Sequence, residues 1–308
     1  MMMSSSGGIT NVHSPVEVVR RYLDSLPQEI PFKEEVRSFH FWKSVRSEFL
    51  ATLVIVLLGC GACVHWTPLD NKNNGANEVV EELKVALAFG VAVGTMVQCM
   101  GHISGAHANP AVSVAMLVTR NISVLRASLY IVAQCLGATA GAAILYGLTP
   151  PSLRHGLGVT QLHSRVHPSQ AFGVEFMSTL VVVLTVMANV DPQRADMGFK
   201  ALSIGLAYTG GHLFGFRSTG ASMNPARSLG PAVVMNSWKN HWVYWVGPIL
   251  GGIIGGFTYE YTQDSSRGPQ HFKRSFRRRR DINQQLKRDS HSGLSSHDTE
   301  LASNDCRV

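Results

Sequence analysis

Two stretches decide how this chain folds: "TGASMNPARSLGPAV" at 219–233 and "SGAHANPAVSVAMLV" at 104–118. Each sets an Asn-Pro-Ala triplet in an apolar run, and they differ in charge, since Arg227 stands in one where Val112 stands in the other. Proline suits the first turn of a helix, where its missing N–H is not needed, and asparagine is among the best N-caps. Asn109-Pro110 and Asn224-Pro225 are therefore each predicted to open a helix.

The surroundings are those of a membrane protein. Apolar residues gather into long runs at Phe49–Val64, Val85–Met100, Ala127–Tyr146, Ala171–Val190, Ala201–Phe216 and Trp242–Tyr259. Most of these approach the roughly 17–25 residues that a spanning helix needs. Six spans are expected. The mean hydropathy of +0.08 is low only because polar tails at 1–47 and 263–308 dilute it. No cleavable leader is expected, since a polar, mixed-charge stretch precedes the first run.

Lys and Arg gather in the N-tail, after the second span and in the C-tail. The first connector, Trp66–Glu82, instead carries Asp70, Glu78, Glu81 and Glu82. The positive-inside rule then predicts both tails to be cytoplasmic. The net charge of +7 owes much to "FKRSFRRRR" at 272–280, read as orientation and contact with anionic lipid rather than nucleic-acid binding. Of five cysteines, Cys60, Cys63, Cys99 and Cys135 lie in apolar spans and Cys306 near the end, so no disulfide framework is expected. The "CGAC" at 60–63 has redox spacing but no strand–helix context, and reads as packing. The sequon at Asn121 falls on a predicted cytoplasmic connector, where it is expected to stay unmodified.

The chain also repeats itself. "SEFLATLVIVLLG" from Ser47 matches "VEFMSTLVVVLTV" from Val174, and each half closes with its Asn-Pro-Ala segment. A unit of three spans enters the bilayer from opposite sides in successive copies, giving an inverted repeat with its site at the midplane. From Asn109 to Thr119 is about 11 residues, or roughly 16 Å of helix, half of a hydrocarbon core of roughly 30 Å. The Asn-Pro-Ala segments therefore read as half-spans that stop at mid-membrane.

Non-helical backbone at that depth must be buried in protein or line a wet cavity. The carbonyls of Gly105, Ala106, His107 and Ala108, and of Gly220, Ala221, Ser222 and Met223, are expected to line a passage and to be free to accept from a permeant. Two opposed helix N-termini, each carrying about half a positive charge, would repel cations and protons. The Asn109 and Asn224 amides would donate to a neutral solute oxygen.

Over roughly residues 43–262 the chain resembles the aquaporins, in particular their water-selective animal group. The resemblance implies an all-α membrane protein with six transmembrane helices and two re-entrant half-helices in an inverted repeat. It also implies one pore per subunit and a homotetramer. The domains on this reading are an N-terminal tail at 1–42, a channel at 43–262 (repeats at about 43–147 and 170–262) and a basic C-terminal tail at 263–308, read as disordered. The pore motifs are Asn109, Pro110 and Ala111 with Asn224, Pro225 and Ala226. Counting back from the asparagines, the family's four filter positions fall on Phe89, His212, Ala221 and Arg227, the pattern of strict water channels. Glycerol-conducting relatives typically carry an acidic residue after the arginine and a small one at the histidine; here these are Ser228 and His212. Tyr244-Trp245 also fits the water-selective pattern.

Carboxylates in a membrane ordinarily suggest an ion path. Glu48 and Glu175, at equivalent repeat positions, instead fit acceptors for the irregular backbone before each half-helix. Gly137 and Gly141, with Gly247, Gly251 and Gly255, make small-residue faces for close helix contact, within a subunit or between subunits.

The function expected is passive, proton-excluding conduction of water at the plasma membrane, with no catalysis, metal or cofactor and with lipid as the surrounding partner. A broader pore for glycerol, urea or hydrogen peroxide, and a structural or signalling protein with little flux, are the alternatives. Ala221 occupies a place where some relatives have cysteine, so mercurials are not expected to block there. Ser290, after basic residues in "LKRDS", is a candidate phosphorylation site.

Overall fold

The computed structural model describes residues 32–66, 74–191 and 198–262, and the regular secondary structure there is all helix. A short α1 (Phe32–Arg37) leads into α2 (Phe39–Gly61), α3 (Asn74–Ser104), the half-length α4 (Pro110–Val118) and α5 (Val124–Leu148). The second repeat comprises α6 (Pro168–Val190), α7 (Lys200–Thr219), the half-length α8 (Pro225–Met235) and α9 (Val243–Thr262). The tails at 1–31 and 263–308, with the basic run, Ser290 and Cys306, lie outside the described residues, as does Asp70.

Local chemistry accounts for the helix ends. The Asn109 side chain accepts from Ala111 N, and that of Asn224 from Ala226 N and Arg227 N, with proline next in both. Ser123 caps α5 through Arg126 N, and His167 with Gln170 forms a capping box at α6. Gly220 and Asn236, both left-handed, close α7 and α8.

Six long helices stand where six spans are expected. Four segments, Phe39–Gly61, Val79–Ser104, Val124–Leu148 and Pro168–Val190, are long and apolar enough to cross a membrane by length and composition alone. α7 and α9, of 20 residues each, reach about 30 Å. Their glycines, hydroxyls and rings make them less apolar. Polarity is inverted relative to a water-soluble protein: Leu58, Val91, Leu136, Leu206 and Phe257 are exposed, while Glu48, Asn109, Gln134, Glu175 and Arg227 are buried.

Helix starts the chain earlier than the boundary drawn at residue 43. Phe41 is buried, and buried Glu35 on α1 accepts from Arg126 Nε at 3.1 Å and from Ser123 Oγ at 2.7 Å. One of the charged residues that made 32–42 read as tail, Glu35, thus ties α1 to the start of α5. Likewise α3 begins at Asn74, so part of the polar first connector is helical.

The repeats pack alike. α2 lies on α5, α6 on α9, and α3 crosses α7. A Cβ at Gly137 or Gly141 would strike the carbonyls of Phe49 or Leu53, and one at Gly251 would strike that of Phe176. Gly247 and Gly255 face α6 in the same way. These glycine stripes are therefore used within the chain, where absent side chains let backbones meet.

Candidate pore and its constriction

Before each half-helix the chain makes the same irregular turn. Gly105, Ala106 and Ala108 have φ of 90°, 45° and 47°, and their repeat counterparts Gly220, Ala221 and Met223 have 80°, 46° and 54°. A left-handed conformation costs a non-glycine residue roughly 1–2 kcal/mol, so something must hold these loops. In each repeat a buried carboxylate does so. Glu48 Oε1 accepts from Ser104 Oγ at 2.6 Å and His107 N at 3.0 Å, and its Oε2 from Ala108 N at 2.6 Å and Gln134 Nε2 at 2.8 Å. Glu175 Oε1 accepts from Thr219 Oγ1 at 2.6 Å and Ser222 N at 2.9 Å, and its Oε2 from Met223 N at 2.7 Å. Successive N–H groups in such a turn form a concavity suited to an anion.

Two tyrosines complete the pattern from outside the loops. Tyr130 donates to Ser104 O at 3.0 Å, and Tyr244 donates to Thr219 O at 2.8 Å. Ser113 and Ser228 repeat each other as well, joined to His107 Nδ1 at 3.1 Å and to Ser222 Oγ at 2.6 Å. Sequence reasoning did not single out Tyr130, Ser113 or Gln134. Aligning the repeat on its asparagines pairs Ser113 with Ser228, whereas Tyr130 falls one residue out of register with Tyr244 and Gln134 falls on Ile249, so neither of those two is found that way.

The half-helices meet through those asparagines. Asn224 Nδ2 donates to Ala108 O at 2.8 Å, and Asn109 Nδ2 donates to Met223 O at 2.8 Å. Asn109 Nδ2 also donates to the Tyr208 hydroxyl at 2.8 Å. Two expectations need correcting here. The Ala108 and Met223 carbonyls are not wholly free, because each already accepts a cross-repeat bond. Both Asn109 amide hydrogens are engaged, so of the two asparagines only Asn224 retains an amide hydrogen for a solute.

On the far side of this junction Phe89, His212 and Arg227 come together. The Phe89 and His212 rings stack with centroids 4.3 Å apart, and the Arg227 guanidinium carbon lies 4.6 Å from the Phe89 centroid. Arg227 Nη1 donates to Gly158 O at 2.5 Å and contacts Cys60 Sγ at 3.7 Å. Ala221 is buried in the adjoining loop, beside Gly215. His212 Nδ1 faces Tyr208 O at 2.9 Å. A carbonyl can only accept, so Nδ1 carries the hydrogen and Nε2 offers a lone pair. His212 Nε2 and Arg227 Nε are both buried without a hydrogen-bond partner among the described residues.

A paired inverted repeat with two asparagine-capped half-helices agrees with what comparison with known proteins finds. The family model described as Major intrinsic protein matches residues 35–259.

The chain belongs to the major intrinsic protein family.

Members of this family, the aquaporins, are channels and not enzymes. The chain is 51% identical to aquaporin-4 of Mus musculus over 222 residues, spanning 72% of this chain and 67% of that protein. Against lens fiber major intrinsic protein of Mus musculus it is 50% identical over 228 residues, 74% of this chain and 83% of that one. Among solved structures, the X-ray structure of the aquaglyceroporin from Plasmodium falciparum matches with a TM-score of 0.63 at 24% identity, covering 72% of this chain and 96% of that chain. At that identity the likeness speaks to the fold alone. The match to the family model begins at residue 35, consistent with the helical start before residue 43.

Proposed function

We propose that this aquaporin conducts water passively along osmotic gradients and excludes protons and larger solutes. One observation carries the reading: at the constriction, His212 Nε2 offers a lone pair and Arg227 Nε a hydrogen, and neither has a partner among the described residues. A buried polar atom left unpaired costs about 1–3 kcal/mol, a cost that a passing molecule able both to donate and to accept can relieve. Water matches that pair of groups. The hydrocarbon backbone of a glycerol does not. The relatives named aquaporin-4, at 50–51% identity, support the same permeant.

Proton exclusion rests on charge. The N-termini of α4 and α8 face each other across the asparagine pair, each with about half a positive charge, and Arg227 adds a full one. A hydronium meets this field with little solvent to screen it. Glu48 and Glu175 do not offset it as an ion path, since their oxygens are bonded to loop N–H and hydroxyl donors.

In a cell, the proposed arrangement is a homotetramer in the plasma membrane with both termini cytoplasmic, which puts Arg227 on the extracellular side of the midplane. Stopped-flow swelling of proteoliposomes tests the permeant. Water flux well above protein-free liposomes with negligible glycerol flux is expected. Glycerol, urea or hydrogen peroxide entering at a comparable rate would replace the strict reading with a broader pore. Absence of water flux would leave a structural or signalling role.

A further inference from the structure

The passage carries a feature that neither half-helix nor the Phe89–His212–Arg227 cluster accounts for. A cavity of about 300 Å³ is lined by Val93, Val97, His107, Asn189, Lys200 and Tyr208 among others. Phe89, His212, Ala221 and Arg227 do not line it. Tyr208 is itself only 5% exposed.

Tyr208 is placed there by the helix that carries the filter histidine. Ile204, Tyr208 and His212 are four residues apart on α7, hence on one face, and Tyr208 O receives the His212 Nδ1 hydrogen. One turn and a fraction of α-helix, four residues at 1.5 Å, sets the two about 6 Å apart along the axis. Tyr208 therefore lies one step along the helix from the filter histidine, and its hydroxyl reaches the asparagines, where it accepts from Asn109 Nδ2.

The repeat makes the substitution conspicuous. Aligned on Asn109 and Asn224, Tyr208 corresponds to Val93, and both residues line the cavity. α3 and α7 cross at the matching Gly90 and Gly205, where a Cβ on either would lie 2.7 or 2.6 Å from the other's carbonyl oxygen. Backbones this close bring the next turn of each helix, with Val93 and Tyr208, to the shared axis. A valine from each side would leave an apolar gap. One valine and one tyrosine fill it with a ring and add a hydroxyl.

We propose that Tyr208 is a second specificity-determining residue, a constriction at the midplane where its ring narrows the passage and its hydroxyl withholds the Asn109 amide from the permeant. Water moving past must replace the Asn109–Tyr208 hydrogen bond with its own, and solutes without matched donors and acceptors meet a second barrier after the filter. The inference rests on the water-channel reading given above.

The test compares wild type with Tyr208→Val and Tyr208→Phe in proteoliposomes, with water permeability normalised to the folded channel incorporated. Tyr208→Val, which gives the second repeat the residue of the first, is expected to raise unit permeability about fivefold. At 1.36 kcal/mol per tenfold in rate that is about 1 kcal/mol, the net worth of one neutral hydrogen bond. Tyr208→Phe keeps the ring and frees Asn109, and is expected to fall between the two with a lower activation energy than wild type.

Both variants at wild-type permeability and activation energy, beside a conducting wild type, would overturn the role of Tyr208 and leave the water reading intact. If Tyr208→Val does not fold, Tyr208→Phe decides by the same two measurements. A silent wild type with a conducting variant supports a ring that closes the passage. Silence in all three overturns the water reading and this inference together.

Discussion

The Arg227 guanidinium is gripped from two directions, lying 4.6 Å from the Phe89 ring centroid while its Nη1 donates to Gly158 O at 2.5 Å. A guanidinium keeps its charge under all physiological conditions, and one so held cannot swing aside as a cation approaches. Arg227→Val would give the second repeat the residue that Val112 supplies in the first. It is expected to retain water flux and to admit protons or small cations, read as faster collapse of a pH gradient across proteoliposomes. A gradient as durable as the wild type's would assign the barrier to the opposed helix ends alone.

Widening the constriction should change which solutes pass. His212→Gly removes the ring stacked at 4.3 Å on Phe89, and glycerol permeability is expected to rise about tenfold or more, the factor that removal of about 1.4 kcal/mol from a barrier produces. Because the two rings touch, Phe89→Ala combined with His212→Gly should depart from the product of the single effects. Swelling assays with a glycerol gradient read both; independent effects would separate the rings functionally.

The two buried carboxylates lend themselves to a stability comparison. Glu175→Gln exchanges one acceptor oxygen for an amide that faces N–H and O–H donors, and leaving a buried donor unmatched costs about 1–3 kcal/mol. A drop in the detergent-solubilised unfolding midpoint is expected for Glu175→Gln and for Glu48→Gln. Glu48 should suffer at least as much, because it accepts from Gln134 besides its loop. Midpoints equal to wild type would remove these residues from the support of the loops.

Close helix contact can be probed with one methyl group. Gly251→Ala drives a Cβ into the Phe176 carbonyl, whereas a Cβ at Gly101 meets nothing within 4 Å. The first is expected to cost about 1–3 kcal/mol by overpacking. The second should stabilise the helix by about 0.5–1 kcal/mol through reduced backbone freedom. Thermal unfolding of the pair in one detergent gives the contrast, and similar midpoints would contradict the packing described.

What could be read from sequence was what local chemistry writes. Asn109-Pro110 and Asn224-Pro225 announce helix starts because capping and proline act within a turn, and the repeat spacing exposes Glu48 and Glu175 as counterparts. Phe89, His212 and Arg227, though far apart in sequence, could be counted from the asparagines and do meet in space. Other features depend on neighbours that no periodicity reveals. The Gly158 carbonyl reaches Arg227 from a loop with no motif, Glu35 is buried only because Arg126 and Ser123 surround it, and Tyr208 reads as one more aromatic residue on an apolar helix until Asn109 is seen beside it.

The bonds from Asn224 to Ala108 and from Asn109 to Met223 also bear on how the chain is made. At synthesis rates of about 5–20 residues per second, the second asparagine leaves the ribosome about ten seconds after the first. During that interval α4 has its caps and its carboxylate but not its counterpart across the midplane. The long helices of the first repeat, α2, α3 and α5, are therefore made as an unfinished half, and the passage comes into being only when the later half arrives to close it.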